Sequence, residues 1–455
     1  MSSLRGILAP TCKWMMVLGI AWGILTTSAS ARPFEVWLVD QSNSNITAGY
    51  GGRIYIYDGE DVNGEDVAVA TPTDVIDLAG ATDALCMTLP NPAHPVRPHM
   101  LLFNATHTHA ILSFVASGHV VIFDAVTRTP LSCMRTSPGT NGLRQAHAAF
   151  PAPDDSYILV ANQNGKLLER IDTDYDTNTF TLNPAATINL ATCTTPNGIA
   201  CELAGVRPNN VPICPIIDSS SNFGFVTLGG GGLFVVNPTT TPMGILAEYS
   251  QATVHGNGCG GLEANGRIYL NSGAGASATN PSEFDVYAFP LSGYAATNPP
   301  NTPAPQLVFS DDTTPPAHER DSHGMVATKH DRYLWVFDRA TNVAEVFHTA
   351  THARVNTVTL AGTSSSDPTP DLSDISPSGH RIFVSLRGPN PLSGSPHVAT
   401  GGTPGLGIIR VNQGGKNGVL KRIVAISNKD ATGKELADAH GIRVRLKEED
   451  TDEEN

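Results

Sequence analysis

HAILSFVASGHVVIFDAVTRTPLSCM, residues 109–134, is the stretch on which the fold turns. Two runs rich in β-branched and aromatic residues, HAILSF and HVVIFD, are joined by Val-Ala-Ser-Gly, a link short enough to read as a hairpin. The second run ends in Asp124, and Ala-Val-Thr-Arg then turns the chain into a third run, TPLSCM. The same order recurs at 157–182, 223–249 and 332–360, more loosely at 267–293 and 381–426, and first at 35–70. These seven copies alternate apolar β-formers with polar residues at period two, and no window between them makes a long amphipathic helix.

A repeat of this kind cannot bury its faces alone, so its neighbours must cover them. Seven antiparallel sheets of about four strands, set radially, make an all-β, seven-bladed β-propeller. The ends of the chain agree. EVWLVDQ (35–41) reads as a second strand, whereas the last apolar run, ADAHGIRVRL (437–446), reads as a first strand. Pairing the C-terminal strand into the N-terminal blade closes the ring and leaves no broken edge. The expected divisions are 1–31 as a signal peptide, 32–445 as one propeller and 446–455 as an acidic tail.

The Asn- or Asp-ended second strands (VANQNG, VFDRATN) and the third strands (VVIFDAVT, LFVVNPTT) resemble YVTN-type seven-bladed propellers. That group is structurally akin to the propeller domains of cytochrome d1 and nitrous oxide reductase. The resemblance covers nearly all of the chain after residue 31. Because nitrous oxide reductase places inner-strand histidines around copper, it implies copper, ahead of iron or zinc, and oxidation of a small molecule.

The residues themselves point to the channel as well. Inner strands of a propeller line its axis, so side chains far apart in sequence converge there. His323 lies ten residues before Tyr333 and His147 ten before Tyr157. His99 has a similar place, DAHGI around His440 matches DSHGM around His323, and His255 belongs to the same part of its blade. The fourth copy offers NNVPICPII, and in the seventh Leu372 takes the aligned place with Asp371 or Asp374 nearby. Converging neutral imidazoles suit a transition metal, with His99, His147, His255, His323 and His440 as ligands. Asp321 and Asp438, two residues before their histidines, are expected to orient the rings, or else to cap turns. Hydrolysis, including lactone opening, is an alternative, as is a non-enzymatic propeller that binds a protein or glycan through its Pro-rich loops.

Other features bound these readings. Arg5 and Lys13 ahead of WMMVLGIAWGILTT and the small-residue end SASA make 1–31 an export signal. No later stretch is long and apolar enough to span a membrane, so a periplasmic or extracellular protein is expected. Six cysteines then remain, which points to disulfides, with Cys193–Cys201 the first pair to expect. A net charge of −14 excludes a nucleic-acid partner and leaves a small molecule or a protein. Calcium has a candidate place at Asp172, Asp174, Asp176 and Asn178 in DTDYDTNT, but the glycine and glutamate of an EF-hand loop are missing and a hairpin turn is expected; DGEDVNGED, Asp58 to Asp66, is discounted in the same way. His107 and His109 form a His-x-His pair that would chelate if extended, although a turn is the simpler expectation.

Overall fold

The computed structural model describes residues 32–64, 70–256, 258–274, 283–295, 302–311 and 319–447. The export-signal reading of 1–31, the tail from 448 onward and five internal stretches, 65–69, 257, 275–282, 296–301 and 312–318, lie outside these residues. Among the described residues there are seven four-stranded antiparallel sheets. Successive inner strands pack against one another in a cycle that returns to its start, so the sheets form a closed ring of blades.

Closure follows the expected route. Ala439–Leu446 pairs antiparallel with Phe34–Asp40, and Arg53–Asp58 and Asp74–Asp77 complete blade 1. Arg445 Nη1 donates to Glu35 Oε2 across that seam at 3.1 Å. The strand reaches Leu446, one residue beyond the expected boundary, and the Lys447 N–H donates to the Pro33 carbonyl.

Burial explains why the second strands are the most apolar segments. FEVWLVD, HAILSF, YILVAN, GFVTL, YLWVFD and RIFVSL are buried at every residue because neighbouring blades cover both faces. Clear period-two alternation survives only on outer strands, as in Asp74–Asp77. Each fully buried Val, Leu, Ile or Phe in these strands contributes about 1.5–3 kcal/mol. Polar atoms inside the stack find partners in the next blade, as where Trp335 Nε1 donates to the Gly415 carbonyl at 2.7 Å.

Two glycines set how closely inner strands approach. A Cβ on Gly324 would lie 1.9 Å from the Asp371 carbonyl oxygen, and one on Gly441 2.5 Å from that of His99. The glycine of each His-Gly pair therefore brings adjacent blades together at the residue just before it.

Disulfides join Cys86 to Cys133, Cys193 to Cys201 and Cys214 to Cys259. Among the described residues no helix is long and apolar enough to cross a membrane.

Candidate active site in the central channel

Six inner strands carry the same irregularity. Pro98 faces Phe114, Ala146 faces Asn162, Pro212 faces Leu228, Ser322 faces Asp338, Pro370 faces Leu386 and Ala439 faces Asp40, and just beyond each pair the register slips. A residue at such a slip leaves the ladder, and its side chain is re-aimed. The residues at this place are His99, His147, Ile213, His323, Asp371 and His440. In blade 5 the equivalent is Gly258, whose carbonyl accepts from Thr227 of the preceding blade. The carbonyls of His147, His323 and His440 accept in the same way from Ser113, Asn271 and Ser385. Blade-to-blade hydrogen bonds thus fix the backbone that carries the rings.

Four imidazoles meet at this level. The ring of His99 lies 3.7 Å from that of His440 and 4.7 Å from that of His147, centroid to centroid, and His323 is 5.6 Å from His440. Together with Arg97, Gln145, Gln163 and Arg339 they line a cavity of about 380 Å³. Burial holds His99 and His440 well below the ordinary imidazole value and His147 at about 4, so all three are neutral at pH 7. Nδ1 of His147 faces the Ile213 carbonyl at 2.9 Å, and Nδ1 of His99 faces Gln41 Oε1 at 3.1 Å. A carbonyl can only accept, so the proton sits on Nδ1 and the Nε2 lone pair is left free in both rings.

Asp371 completes the set. Its Oδ1 is 3.0 Å from His323 Nε2, although the alignment falls short of a linear hydrogen bond, and its Oδ2 is 3.9 Å from His440 Nε2. Oδ2 also accepts from Arg387 Nη1 at 2.6 Å and lies 3.7 Å from Arg339 Nη1. Burial alone would raise this carboxyl, but His323, His440, Arg387 and Arg339 together hold it well below the usual carboxylate range. Neither nearby aspartate orients an imidazole as expected. Asp438 binds Arg387 through both oxygens, at 2.7 and 2.8 Å, and Asp321 binds Arg339 at 2.7 Å. They hold the arginines, and the arginines hold Asp371.

Two further expectations need correction, and two hold. His255 does not join the cavity: it lies three residues before Gly258, its Nδ1 is 2.7 Å from Asp285 Oδ2, and its side chain is 37% exposed. In blade 7 the position equivalent to the histidines is Asp371, not Leu372: the second strand begins at Arg381, and Asp371 lies ten residues before it, as His323 lies ten before Tyr333 and His147 ten before Tyr157. His107 and His109 act apart: Nδ1 of His107 accepts from the Leu446 N–H, and Nε2 of His109 is 2.6 Å from Asn178 Oδ1. DTDYDTNT is the expected hairpin, with Asp172 engaged by Arg170 and Asn183 and Asp174 capping the turn at Thr177.

Arg339 and Arg387 were the residues that sequence reasoning passed over. Each directly follows the second strand of its blade, in VFDR and VSLR, and that shared place was the available signal. Arg97, two residues before His99, has no carboxylate partner among the described residues and faces the same cavity.

No protein-family model matches the chain, and no curated protein sequence matches it. Solved structures do. A Sulfolobus tokodaii protein named as a hypothetical selenium-binding protein superposes with a TM-score of 0.59 at 10% identity, covering 91% of this chain and 94% of its own. A Bacteroides uniformis protein provisionally assigned as a 6-phosphogluconolactonase gives 0.54 at 13%, covering 91% and 99%. The periplasmic gluconolactonase of Pseudomonas aeruginosa gives 0.52 at 13%, covering 90% and 99%. At these identities the likeness shows the seven-bladed fold, shared with 6-phosphogluconolactonase-like propellers as the repeats led one to expect.

Proposed function

We propose that the channel cavity is the active site of a hydrolase for a small, anionic, polyhydroxylated ester, with sugar lactones as the substrate class. The observation that carries this reading is the His323–Asp371 pair, 3.0 Å apart, anchored by Arg387 and facing a polar cavity. Lactonase names among the fold neighbours support the choice of class.

His323 takes a proton from water through Nδ1, the ring nitrogen that does not face Asp371, while Asp371 steadies the imidazolium that forms. The resulting hydroxide adds to the lactone carbonyl, and Arg339 and Arg97 offer positive charge to the developing oxyanion and to a substrate carboxylate or phosphate. The imidazolium then returns its proton to the ring oxygen as the acyl–oxygen bond breaks, giving one hydroxy acid per lactone and water consumed. His99, His147 and His440, neutral at pH 7, accept hydrogen bonds from substrate hydroxyls. Export to the periplasm or cell exterior fits the three disulfides.

The test is turnover of a panel of neutral and anionic sugar lactones by the chain from residue 32. Hydrolysis that falls in His323→Ala and Asp371→Asn supports the reading. A folded protein that opens none of them overturns it and moves the search to protein or glycan partners.

A second reading has its own observation. Nε2 of His99 and Nδ1 of His440 are buried without a protein partner, and the Nε2 lone pairs of His99 and His147 are fixed by carbonyls behind the rings. That donor set fits a transition metal, copper ahead of iron or zinc, held by His99, His147, His323 and His440. When bound, such an ion would supply redox chemistry for oxidation of a small molecule. Elemental analysis of untagged protein alongside His99→Ala decides between the readings.

A further inference from the structure

One residue beyond the polar ring, each inner strand contributes to a second layer of the channel, and part of this layer is built from sulfur. Cys214 follows Ile213, Cys259 follows Gly258 and Met100 follows His99. Met100 Sδ lies 3.5 Å from Cys259 Sγ and 3.9 Å from Cys214 Sγ. A ring nitrogen of His147 and both cysteine sulfurs fall within 4.8 Å of one another. Beside them is a void of about 20 Å³, with Met100, Cys259 and Met325 in its wall, close to the space one water or a small ion fills. Both cysteines are buried, and the disulfide between them ties blade 4 to blade 5.

Thiolate, thioether and imidazole together make a soft donor set, the kind that selects monovalent copper over harder ions. In the oxidised chain the two cysteine sulfurs are spent on each other. We propose that this layer is a redox-gated copper(I) site, closed while Cys214–Cys259 is intact and opened by its reduction. A small external dithiol supplies the two electrons and two protons: the S–S bond breaks, two thiols form, and the reductant leaves as its own disulfide. Copper(I) then binds the two sulfurs with Met100 and His147 completing the set, and thiol protons are released to solvent. Cys86–Cys133 supplies an internal control. His119 lies within the same 4.8 Å of that pair and, like His147, has its Nδ1 engaged, here by Ser117, so the histidines match. The difference is the thioether, since among the described residues the methionine–cysteine contacts are those of Met100 with Cys214 and Cys259.

This site is separate from the proposed hydrolytic pair, and copper held by the histidine ring alone would bind regardless of the disulfide. The experiment reduces the chain with dithiothreitol, removes the reductant anaerobically and titrates copper(I) against bathocuproine disulfonate. The expected result is about one additional copper(I) per chain relative to the oxidised protein, with copper–sulfur scattering in X-ray absorption. Cys214→Ser/Cys259→Ser removes the gain, Cys86→Ser/Cys133→Ser keeps it, and Met100→Leu, a volume-conserving change, weakens it by about 10-fold or more. Circular dichroism confirms that each variant is folded. No gain on reduction, nitrogen-only coordination, or a gain that follows Cys86–Cys133 would overturn the proposal.

Discussion

The seven equivalent channel positions divide into two sectors. Blades 6, 7, 1, 2 and 3 present His323, Asp371, His440, His99 and His147, whereas blades 4 and 5 present Ile213 and Gly258. The polar sector is held by salt bridges, Arg387 to Asp438 and Asp371, and Arg339 to Asp321. The apolar sector is held by a covalent bond, Cys214–Cys259. The difference teaches where chemistry is concentrated. Among the described residues Asp321, Asp371 and Asp438 are bridged by Arg339 and Arg387, and Arg97 adds a further positive charge at the cavity. The polar sector therefore gathers buried charge and ring nitrogens around the cavity.

The largest effect should come from the reacting pair. His323→Ala is expected to lower kcat/KM for lactone opening by about 10²–10⁴-fold, the usual worth of a positioned acid or base. An equal loss on removing Ile213's side chain would erase the distinction between sectors.

Next comes Arg387. Replacing it with Leu strands Asp371 and Asp438 in the interior and should cost about 3–5 kcal/mol in a denaturant titration. Cys214→Ser/Cys259→Ser should cost somewhat less, about 2–4 kcal/mol, through the freed unfolded chain. If the two variants reversed this order, the polar sector would be the weaker support.

Acidification should act mainly on the polar sector. The unfolded chain takes up protons on its histidines from about pH 6.5 downward, whereas His147 waits until about 4, so stability falls through that window. His99 and His440, also depressed, add in the same direction. Asp40, raised by burial to about 6, works the other way, because its contribution is lost as the pH rises from about 4 to 6. Depressed imidazoles at His107, His119 and His352 add to these three, against the raised carboxyls of Asp40, Asp155 and Glu169. The denaturation midpoint should therefore be lower at pH 5 than at pH 7, and the gap should narrow in His147→Gln. The smallest effect is expected outside both sectors: Asp174→Ala, in an exposed hairpin, should change stability by less than about 0.5 kcal/mol, and added calcium should leave Tm unmoved.

How much of this was legible in the sequence follows the same division. The fold was legible because strand runs, turn residues and chain ends each repeat a local signal, and HAILSF announces its burial by composition alone. His147 and His323 were legible because each sits ten residues before a recognisable strand, His99 by its similar place, and His440 by the match of DAHGI to DSHGM. Asp371 was missed by one position: Leu372 lies ten before Ile382, the first apolar residue of the second strand, whereas the strand begins at the polar Arg381. His255 was included because, among the described residues, blade 5 has no slip to mark the place: the carbonyl that accepts from the preceding blade there belongs to Gly258, three residues after the histidine. The arginines depend on pairing between residues 18 and 51 positions apart, which no local pattern encodes.

The most direct test of the central claim is a crystal structure of the chain from residue 32 with gluconate, the product of gluconolactone opening. The account predicts that its carboxylate lies between Arg97 and Arg339, with an oxygen in hydrogen-bond reach of His323. Gluconate bound away from the four histidines, or absent from the channel at saturating concentration, would contradict it.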